Sequence, residues 1–416
     1  KKVPAPHAGS HIFRFCFFFM TISPLSLIGQ DTIKVTYYNL LNFPVQQADR
    51  VDTLKEILNF IKTDVLVVNE LTSFNGGALI KNNALNVNGL SNYSSAIFYD
   101  GPDTDNLLFY DNTKLGLYSQ KQIPTALRDI SEYVLFHKDP NLSVTNDTTF
   151  LNFYSIHLKA GNDPSDANLR TIEAEVFKDY LFNEGKNKRL FVGGDFNFYN
   201  NSDQACQEVL NGQGVNLYDP INRMGSWHNN AGYKKYHTQS TRASSGGYAG
   251  GSYGGMDDRF DFIFVSNDIL YGSEGVHYID DSYEAVGQDG LRFNDDIHIP
   301  ANTAVSQSIA NSLFYMSDHL PVSLEFAVGG TINVEEIDDD VKLIFNSNSK
   351  DLVLVSDNAI NELKLQVFDI NGRLIKSEKR INTKQFSWSL QLLPKGFYIA
   401  NVSLNHKIKN LKFVIN

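Results

Sequence analysis

Near the middle of the chain the sequence reads Arg189-Leu190-Phe191-Val192-Gly193-Gly194-Asp195-Phe196-Asn197. The apolar run ends at two glycines, a pattern that predicts a buried strand with an abrupt end. The glycines remove side-chain bulk and permit unusual backbone angles, so a carboxylate and an amide can stand there. Asp195 and Asn197 are two residues apart and would face the same way on extended backbone. Such a pair suits a divalent cation and an attacking water, although a strand followed by an Asx turn explains the same residues.

Polar side chains also lie at the ends of other strand-like segments. The predicted strands are Ile33–Tyr38, Asp64–Asn69, Leu107–Tyr110, Tyr133–His137, Thr149–Ile156, Arg259–Ser266 and a closing segment over Met316–Phe326. Helical spacing of apolar residues predicts helices over Arg50–Lys62 and Leu169–Phe182. Strands interleaved with helices over about 300 residues indicate a layered α/β domain.

Charge is distributed unevenly along the chain, whose net charge is −11. Residues 31–328 hold 21 Lys and Arg against 37 Asp and Glu, a balance of −16. Residues 341–416 hold 12 against 5, a balance of +7. The acidic main domain argues against a broad, sequence-independent grip on nucleic acid, but a bound cation can still support phosphodiester chemistry there.

The first 30 residues have the order expected of a signal peptide: basic residues, an apolar centre, and Gly29 as a candidate cut. The alternative is a tail with an accidental apolar patch. No uninterrupted apolar run reaches the length of about 18 residues that a membrane span needs. Cys16 lies inside this segment, so Cys206 would be the only cysteine of a mature chain and no internal disulfide is expected.

Two other regions are defined by composition. Ser244–Gly255 is rich in glycine and serine, which predicts either a flap beside the site or a surface loop. Residues 329–340 combine a glycine pair with an acidic run and are interpreted as a linker. Residues 341–416 alternate as short strands, with Asn371-Gly372 as a hairpin signal, which predicts a small all-β sandwich module.

The polar residues at the strand ends fit one chemistry. They are Asn39, Glu70, His157, Asp195, Asn197, Asp261, Asp318 and His319. Carboxylate and amide oxygens of Glu70, Asn39 and Asp318 would hold Mg²⁺ or Mn²⁺, with Ca²⁺ as a further option. Taken singly, each residue has a structural explanation: a turn cap for Glu70, a paired core acid for Asp261, a satisfied core histidine for His157.

A division of labour follows from the residue types. His319 paired with Asp261 would act as a general base or stabilise phosphate. Asp195 and Asn197 would align the water or protonate the leaving oxygen, and His157 would be a complementary acid or a phosphate ligand. The order of these residues favours a metal-dependent phosphoester hydrolase.

The chain resembles the endonuclease/exonuclease/phosphatase superfamily, which has the deoxyribonuclease I-like fold. The matching segments are Tyr38-Asn39-Leu40-Leu41-Asn42, Val68-Asn69-Glu70, Ser155-Ile156-His157-Leu158, Gly194-Asp195-Phe196-Asn197, Arg259-Phe260-Asp261-Phe262-Ile263 and Ser317-Asp318-His319-Leu320-Pro321-Val322. The resemblance implies a four-layer α/β sandwich and supports the roles given above.

The same resemblance suggests substrate contacts at Arg128 and Asn42. Arg170 and Arg242 are weaker candidates for such contacts, and a position on the solvated surface is the expectation for both. The sequence departs from the nuclease branch in one respect. No second acid that would orient His157 can be identified.

The C-terminal module resembles the type IX secretion sorting domain. The matching residues are Val367-Phe368-Asp369-Ile370-Asn371-Gly372-Arg373, Leu393-Pro394-Lys395-Gly396-Phe397-Tyr398 and the strand over residues 409–415. The alternative is a small adhesive β-module. The resemblance implies recognition by secretion machinery and a location outside the cell or at its surface.

The sequence therefore predicts a secreted, monomeric, metal-dependent nuclease with DNA or RNA as its partner. The first alternative is a phosphatase or phospholipase C of the same superfamily, acting on a small phosphoester or a lipid headgroup. The second is a catalytically inactive surface-binding protein.

Overall fold

The computed structural model describes residues 31–45, 50–139, 148–244, 250–272, 274–329, 341–347, 349–370, 373–404 and 407–415. The signal-peptide prediction, most of the predicted linker, residues 245–249 of the Gly/Ser segment and the Asn371-Gly372 turn lie outside these ranges. Among the described residues, no helix combines the length and apolar character needed to cross a bilayer.

The first sheet of the α/β domain contains seven strands. They are Asp31–Phe43 (β1), Val65–Leu71 (β2), Tyr93–Ser95 (β3), Asp105–Asp111 (β4), Val276–Tyr278 (β11), Glu284–Ala285 (β12) and Val322–Val328 (β13). Their order is β11-β13-β1-β2-β4-β3, and β12 also pairs with β13. Only β1 and β2 are paired in parallel, at the centre of the sheet.

The second sheet contains six strands. They are Leu115–Ile123 (β5), Ile130–His137 (β6), Phe150–His157 (β7), Leu190–Asp195 (β8), Leu217–Tyr218 (β9) and Asp261–Ser266 (β10). Their order is β5-β6-β7-β8-β10-β9, with the parallel pair β7 and β8 in the middle. The predicted strand at Leu190–Val192 is therefore a central strand, buried along its whole length.

Helices complete the domain. They are Arg50–Ile61 (α1), Phe74–Leu79 (α2, continued by a π-helical turn over Ile80–Leu85), Pro164–Asn183 (α3), Gln204–Asn211 (α4), Asn267–Tyr271 (α5) and Gln307–Met316 (α6). Apolar residues of α1 and α6 pack on the first sheet, and those of α3 and α4 pack on the second.

The two sheets pack face to face because successive side chains of each strand point to opposite faces. Phe191 of β8 stacks on Phe153 and contacts Phe326 of the first sheet, with ring centroids 5.0 and 4.4 Å away. Val192, the next residue, belongs instead to the buried cluster that includes Phe177 of α3. The predicted four-layer order of helices, sheet, sheet and helices is confirmed.

The C-terminal module is all β, as predicted. Its strands are Val341–Asn346 (β14), Asp351–Asp369 (β15), Leu374–Ser389 (β16), Gly396–Leu404 (β17) and Lys407–Ile415 (β18), all paired antiparallel. The pairing of β15 with β16 is interrupted between Val355 and Ile360. Its buried residues form a cluster of their own that includes Leu354, Leu365 and Trp388.

Candidate active site

Both sheets deliver polar residues to one shared edge. The carboxyl ends of the parallel strands β1 and β2 carry Asn39 and Glu70, and those of β7 and β8 carry His157 and Asp195. In the ladder between β8 and the antiparallel β10, Asp261 is the partner of Asp195. His319 precedes β13, so it approaches the same edge. The structure therefore brings six of the predicted site residues together.

Glu70 is held in a fixed position at the end of β2. Its backbone has φ of +56°, and its carboxylate accepts hydrogen bonds from the Asn39 side chain and the Asn42 backbone N–H, both at 2.9 Å. Burial raises the pKa of Glu70, and the nearby Asp318 raises it further. The carboxylate is 16% exposed, so a cation from solvent can reach it.

Asp195 lies at the centre of the group. Its Oδ2 accepts a hydrogen bond from Asn39 at 3.1 Å and lies 3.5 Å from His157 Nε2 and 3.6 Å from His319 Nε2. Burial raises the pKa of Asp195 to about 7, and the charge of Asp261 raises it while His319 lowers it. A carboxylate that titrates near neutral pH can accept a proton from water during a reaction.

Asp261 and His319 form the predicted pair. His319 Nδ1 is 2.8 Å from Asp261 Oδ2, and both side chains are almost fully buried. Burial alone lowers the pKa of His319, but Asp261 and Asp195 outweigh that effect and raise it well above its usual value. Thr238 fixes the acid from the other side, because its Oγ1 accepts the backbone N–H of Asp261 at 3.2 Å.

His157 is buried and differs from His319 in its surroundings. Burial lowers its pKa well below the usual value, and the charge of Arg128 adds to this effect. Its Nδ1 has no hydrogen-bond partner among the described residues. The acids nearest to it, Glu70 and Asp195, face its Nε2 instead. The described part of the chain thus contains no acid that orients His157 through Nδ1.

Asn197 reaches the site by a different route from the one expected. Its φ of +53° is left-handed, so of the two arrangements that the sequence allows, extended backbone is wrong and the Asx turn is the one that forms. The Asp195 carboxylate accepts the backbone N–H of Asn197 at 3.1 Å, which is an Asx turn. The Asn197 amide donates to the Leu158 carbonyl at 3.2 Å, and the turn therefore ties β8 to β7.

Asp318 faces the Gly/Ser segment. Its Oδ2 accepts the backbone N–H of Ser252 at 2.6 Å and the Gln239 amide at 3.3 Å, and Gly251 packs against it. Its Oδ1 has no partner among the described residues. The Gln239 amide also lies 2.6 Å from His319 Nε2. Sequence reasoning missed Gln239, since nothing in its local sequence indicates a role in the site.

Arg128 and Asn42, the predicted substrate contacts, border the site. Arg128 forms an ion pair with Asp103 at 2.9 Å and donates to the Leu158 carbonyl at 3.3 Å. Leu158 follows His157 in the chain, so this hydrogen bond places Arg128 on that side of the site, where its charge lowers the pKa of His157 further. Asn42 has an exposed side chain, while its backbone N–H holds Glu70.

Arg170 and Arg242 are not on the solvated surface, and that prediction is wrong. Both are 1% exposed. Arg170 donates to the carbonyls of Lys159 and Gly161 and pairs with Asp203 at 3.0 Å. Arg242 donates to the carbonyls of Phe314 and Gly250. The reason is physical: a guanidinium can be buried where several carbonyl groups satisfy its donors.

A divalent cation fits this donor set. Two groups of side chains have ligand atoms within 4.8 Å of one another: Glu70, His157 and Asp195, and Asp195, Asp261 and His319. Burial raises the pKa values of Glu70 and Asp195, and neighbouring carboxylates raise them further, so a cation would balance negative charge that is gathered here. Glu70 is the most accessible acid of these groups, and the Asn39 amide lies beside it.

Comparisons with known proteins give two family matches. A model described as "Endonuclease/Exonuclease/phosphatase family" matches residues 36–319, and one described as "Secretion system C-terminal sorting domain" matches residues 344–416. A search of curated proteins found no match.

Solved structures similar to this chain were also found. An endonuclease/exonuclease/phosphatase family protein from Bacteroides thetaiotaomicron is 16% identical, with a TM-score of 0.46 over 72% of this chain and 99% of that chain. TDP2 from D. rerio, complexed with single strand DNA product, is 15% identical, with a TM-score of 0.46 over 71% and 99%. The human Nocturnin catalytic domain with bound sulfate is 14% identical, with a TM-score of 0.42 over 72% and 97%.

Proposed function

Because the chain belongs to the endonuclease/exonuclease/phosphatase family, we propose that it is a divalent-metal-dependent phosphodiesterase, and more narrowly a nuclease that hydrolyses DNA or RNA. The observation that supports this most directly is the position of Asp195. It lies between two imidazoles, 3.5 and 3.6 Å away, and is joined to Glu70 through the Asn39 amide. A structural explanation of each residue alone does not account for this convergence of buried charge.

Glu70 would hold Mg²⁺ or Mn²⁺, and Asp318 is a further ligand that the sequence suggests. Asn39, the other predicted ligand, donates its amide N–H groups to Glu70 and Asp195 and accepts the Leu41 backbone N–H at its oxygen, so it would fix the two carboxylates rather than bind the cation. When bound, the cation supplies positive charge to a phosphate oxygen. Asp195, with a pKa near 7, would take a proton from the attacking water, and Asn197 would help to orient that water. His319, held by Asp261, would donate a hydrogen bond from Nε2 to a phosphate oxygen once the Gln239 amide has moved from it.

His157 would contribute as a neutral imidazole, because burial disfavours its charged form. It can donate or accept one hydrogen bond at Nε2, toward Asp195 and Glu70. Arg128 and Asn42 would contact the substrate at the rim of the site. These assignments leave the protonation of the leaving oxygen to Asp195 or to a group at the rim.

We further propose the division of the chain suggested by its sequence. A signal peptide would occupy residues 1–30, a catalytic domain residues 31–328, an acidic linker residues 329–340 and a sorting module residues 341–416. The match of residues 344–416 to a secretion sorting domain supports export to the cell surface or the medium. The protein would then act as a monomer on nucleic acid outside the cell.

One observation favours a second candidate function. The α/β region carries a balance of −16, which is unfavourable for binding a polyanion along an extended surface. A phosphatase or phospholipase C that acts on a small phosphoester or a zwitterionic lipid headgroup would not meet this difficulty.

The test uses the full chain with supercoiled plasmid DNA, structured RNA, bis(4-nitrophenyl) phosphate and sphingomyelin vesicles, each with Mg²⁺ and with EDTA. His319→Ala is the matched inactive variant. We expect metal-dependent nicking or RNA cleavage that disappears in His319→Ala. Hydrolysis of only the small diester or of sphingomyelin would replace the nuclease with the second candidate, and no turnover on any substrate would support a binding protein.

A further inference from the structure

A second histidine–carboxylate pair lies outside the residues assigned above. His228 Nδ1 is 2.7 Å from Asp258 Oδ1. The His228 side chain is 45% exposed, whereas that of Asp258 is 11% exposed. The described hydrogen bonds of the His228 ring involve only Nδ1, so Nε2 is available to a ligand. The arrangement resembles the Asp261–His319 pair, but it is at the surface.

The pair is connected to the active site by short contacts. The Asp258 carbonyl accepts the backbone N–H groups of Thr238 and Gln239, at 2.7 and 3.1 Å. Gln239 in turn forms an isolated β-bridge with His319, and its amide contacts His319 Nε2. Asp258 and His319 therefore both pair with the backbone of Gln239, one on each side of it.

Tyr199 shows on which side of the site the pair lies. Its ring centroid is 5.1 Å from that of His228, and it follows Asn197 by two residues. Burial raises the pKa of Tyr199, and the charges of both Asp258 and Asp195 contribute. The ring of His228 thus lies against a residue of the turn that follows Asp195 and Asn197.

The backbone around His228 is firmly anchored. Trp227 is fully buried and donates its indole N–H to the Phe198 carbonyl at 2.9 Å. The N–H of Asn229 donates to the Asp257 carbonyl at 2.9 Å. Its flanking residues hold the loop in place, so the exposed hydrogen bond between His228 and Asp258 is not needed for that purpose, and such surface contacts add little stability.

We propose that His228, held by Asp258, binds a non-bridging oxygen of the phosphate next to the scissile one in a polynucleotide. With its Nδ1 proton donated to Asp258, the ring can carry a positive charge and donate a second hydrogen bond from Nε2 to a phosphate. The protonated His228 ring would then give the phosphate one cationic contact in an otherwise acidic region. This inference rests on the proposed nuclease function and narrows its substrate to chains with more than one phosphate.

Asp258 is a positioning residue in this scheme, since it acts through His228. The variants are His228→Ala, His228→Gln and Asp258→Asn in the full chain. His277→Ala is the control, because His277 is a partly buried histidine on β11, at the edge of the other sheet. Each variant is assayed on a fluorescent oligonucleotide, which has many phosphates, and on bis(4-nitrophenyl) phosphate, which has one.

We expect His228→Ala to raise KM for the oligonucleotide about 10-fold, the effect of losing one charge-assisted hydrogen bond. The value of kcat and the hydrolysis of the small diester should change by less than about twofold. Loss of one phosphate contact should also reduce the slope of log(1/KM) against log[salt] by about one. Asp258→Asn should act in the same direction, His228→Gln should restore part of the affinity, and His277→Ala should match the unaltered protein.

Two results would overturn this inference and leave the proposed nuclease function intact. The first is an unchanged KM and an unchanged salt slope in His228→Ala. The second is an equal loss of activity on both substrates together with a lower melting temperature, which is the result expected if the pair only supports the fold. Failure of the proposed function is visible earlier. An unaltered protein that hydrolyses the small diester but no nucleic acid refutes the nuclease, and the role of His228 with it.

Discussion

Replacement of Gly194 by alanine should damage both stability and activity. A Cβ at Gly194 would lie 2.0 Å from the Ile156 carbonyl oxygen and 2.9 Å from the Asn69 side chain, and φ is +131°. The Ile156 contact is with backbone, so no rotamer change can relieve it; β7 and β8 must separate. Gly89→Ala is the matched control, because Gly89 also has a positive φ of +87° but no atom within 4 Å of the added Cβ.

The size of the effect can be estimated from these contacts. Positive φ alone costs about 1 kcal/mol at Gly89 and about 1–3 kcal/mol at Gly194, where the angle is less accessible to alanine. Separating β7 from β8 adds about 1 kcal/mol for each ladder hydrogen bond lost, the first being Leu158 N–H to the Asp195 carbonyl. We therefore expect about 4 kcal/mol or more for Gly194→Ala, a large part of a typical domain's stability.

The chain offers a clean readout, since it contains two tryptophans, Trp227 in the α/β domain and Trp388 in the C-terminal module. In a Trp388→Phe background, urea unfolding followed by fluorescence reports on the α/β domain alone. Activity should fall further than the unfolded fraction explains, because β7 and β8 carry His157 and Asp195. A difference of less than about 1 kcal/mol between Gly194→Ala and Gly89→Ala would refute the steric argument.

Three further predictions concern the site and the domain division. Asp261→Asn should lower kcat/KM about 10- to 100-fold by removing a charge-assisted hydrogen bond, with little further loss when combined with His319→Ala. Losses that multiply would show that the two act separately, and the control is Asp268→Asn, in the helix α5 that follows the other end of β10. Mg²⁺ should raise the melting temperature at pH 8, by the equivalent of about 2.7 kcal/mol at 100 times Kd. The shift should be much smaller at pH 5.5, because the raised pKa values of Asp195, about 7, and Glu70 favour the protonated acids that bind no cation; an equal shift at both pH values, or one that survives in Glu70→Gln, contradicts this. A chain that ends at residue 329 should keep full activity but lose export from its native host, since the described cores of the two regions share no residue; a folded but inactive product would reject the proposed division.

Local sequence was sufficient to predict most of the α/β fold. The apolar runs predicted as strands correspond to β1, β2, β4, β6, β7, β8, β10 and β13, because period-two or continuous burial is encoded within a few residues. The polar residues that follow them were found for the same reason. A charged or amide group directly after a buried strand costs free energy unless it is hydrogen-bonded, paired with an opposite charge or bound to a ligand. Shorter strands such as β9 and β12, with two residues each, carry no such pattern and were missed.

Other features depend on contacts between residues far apart in the chain. Arg170 and Arg242 are buried because carbonyl groups converge on them, which no local pattern reveals. Gln239 meets His319 across 80 positions, and His228 meets Asp258 across 30.

The sequence by itself determined the layers, the sheet edge at which the candidate residues meet and the types of those residues. The tertiary structure alone decided which of those residues touch, which charges are buried and how each is compensated. The physical reason is that strand formation follows side-chain periodicity along the chain, whereas pKa values and hydrogen-bond partners follow distances in space.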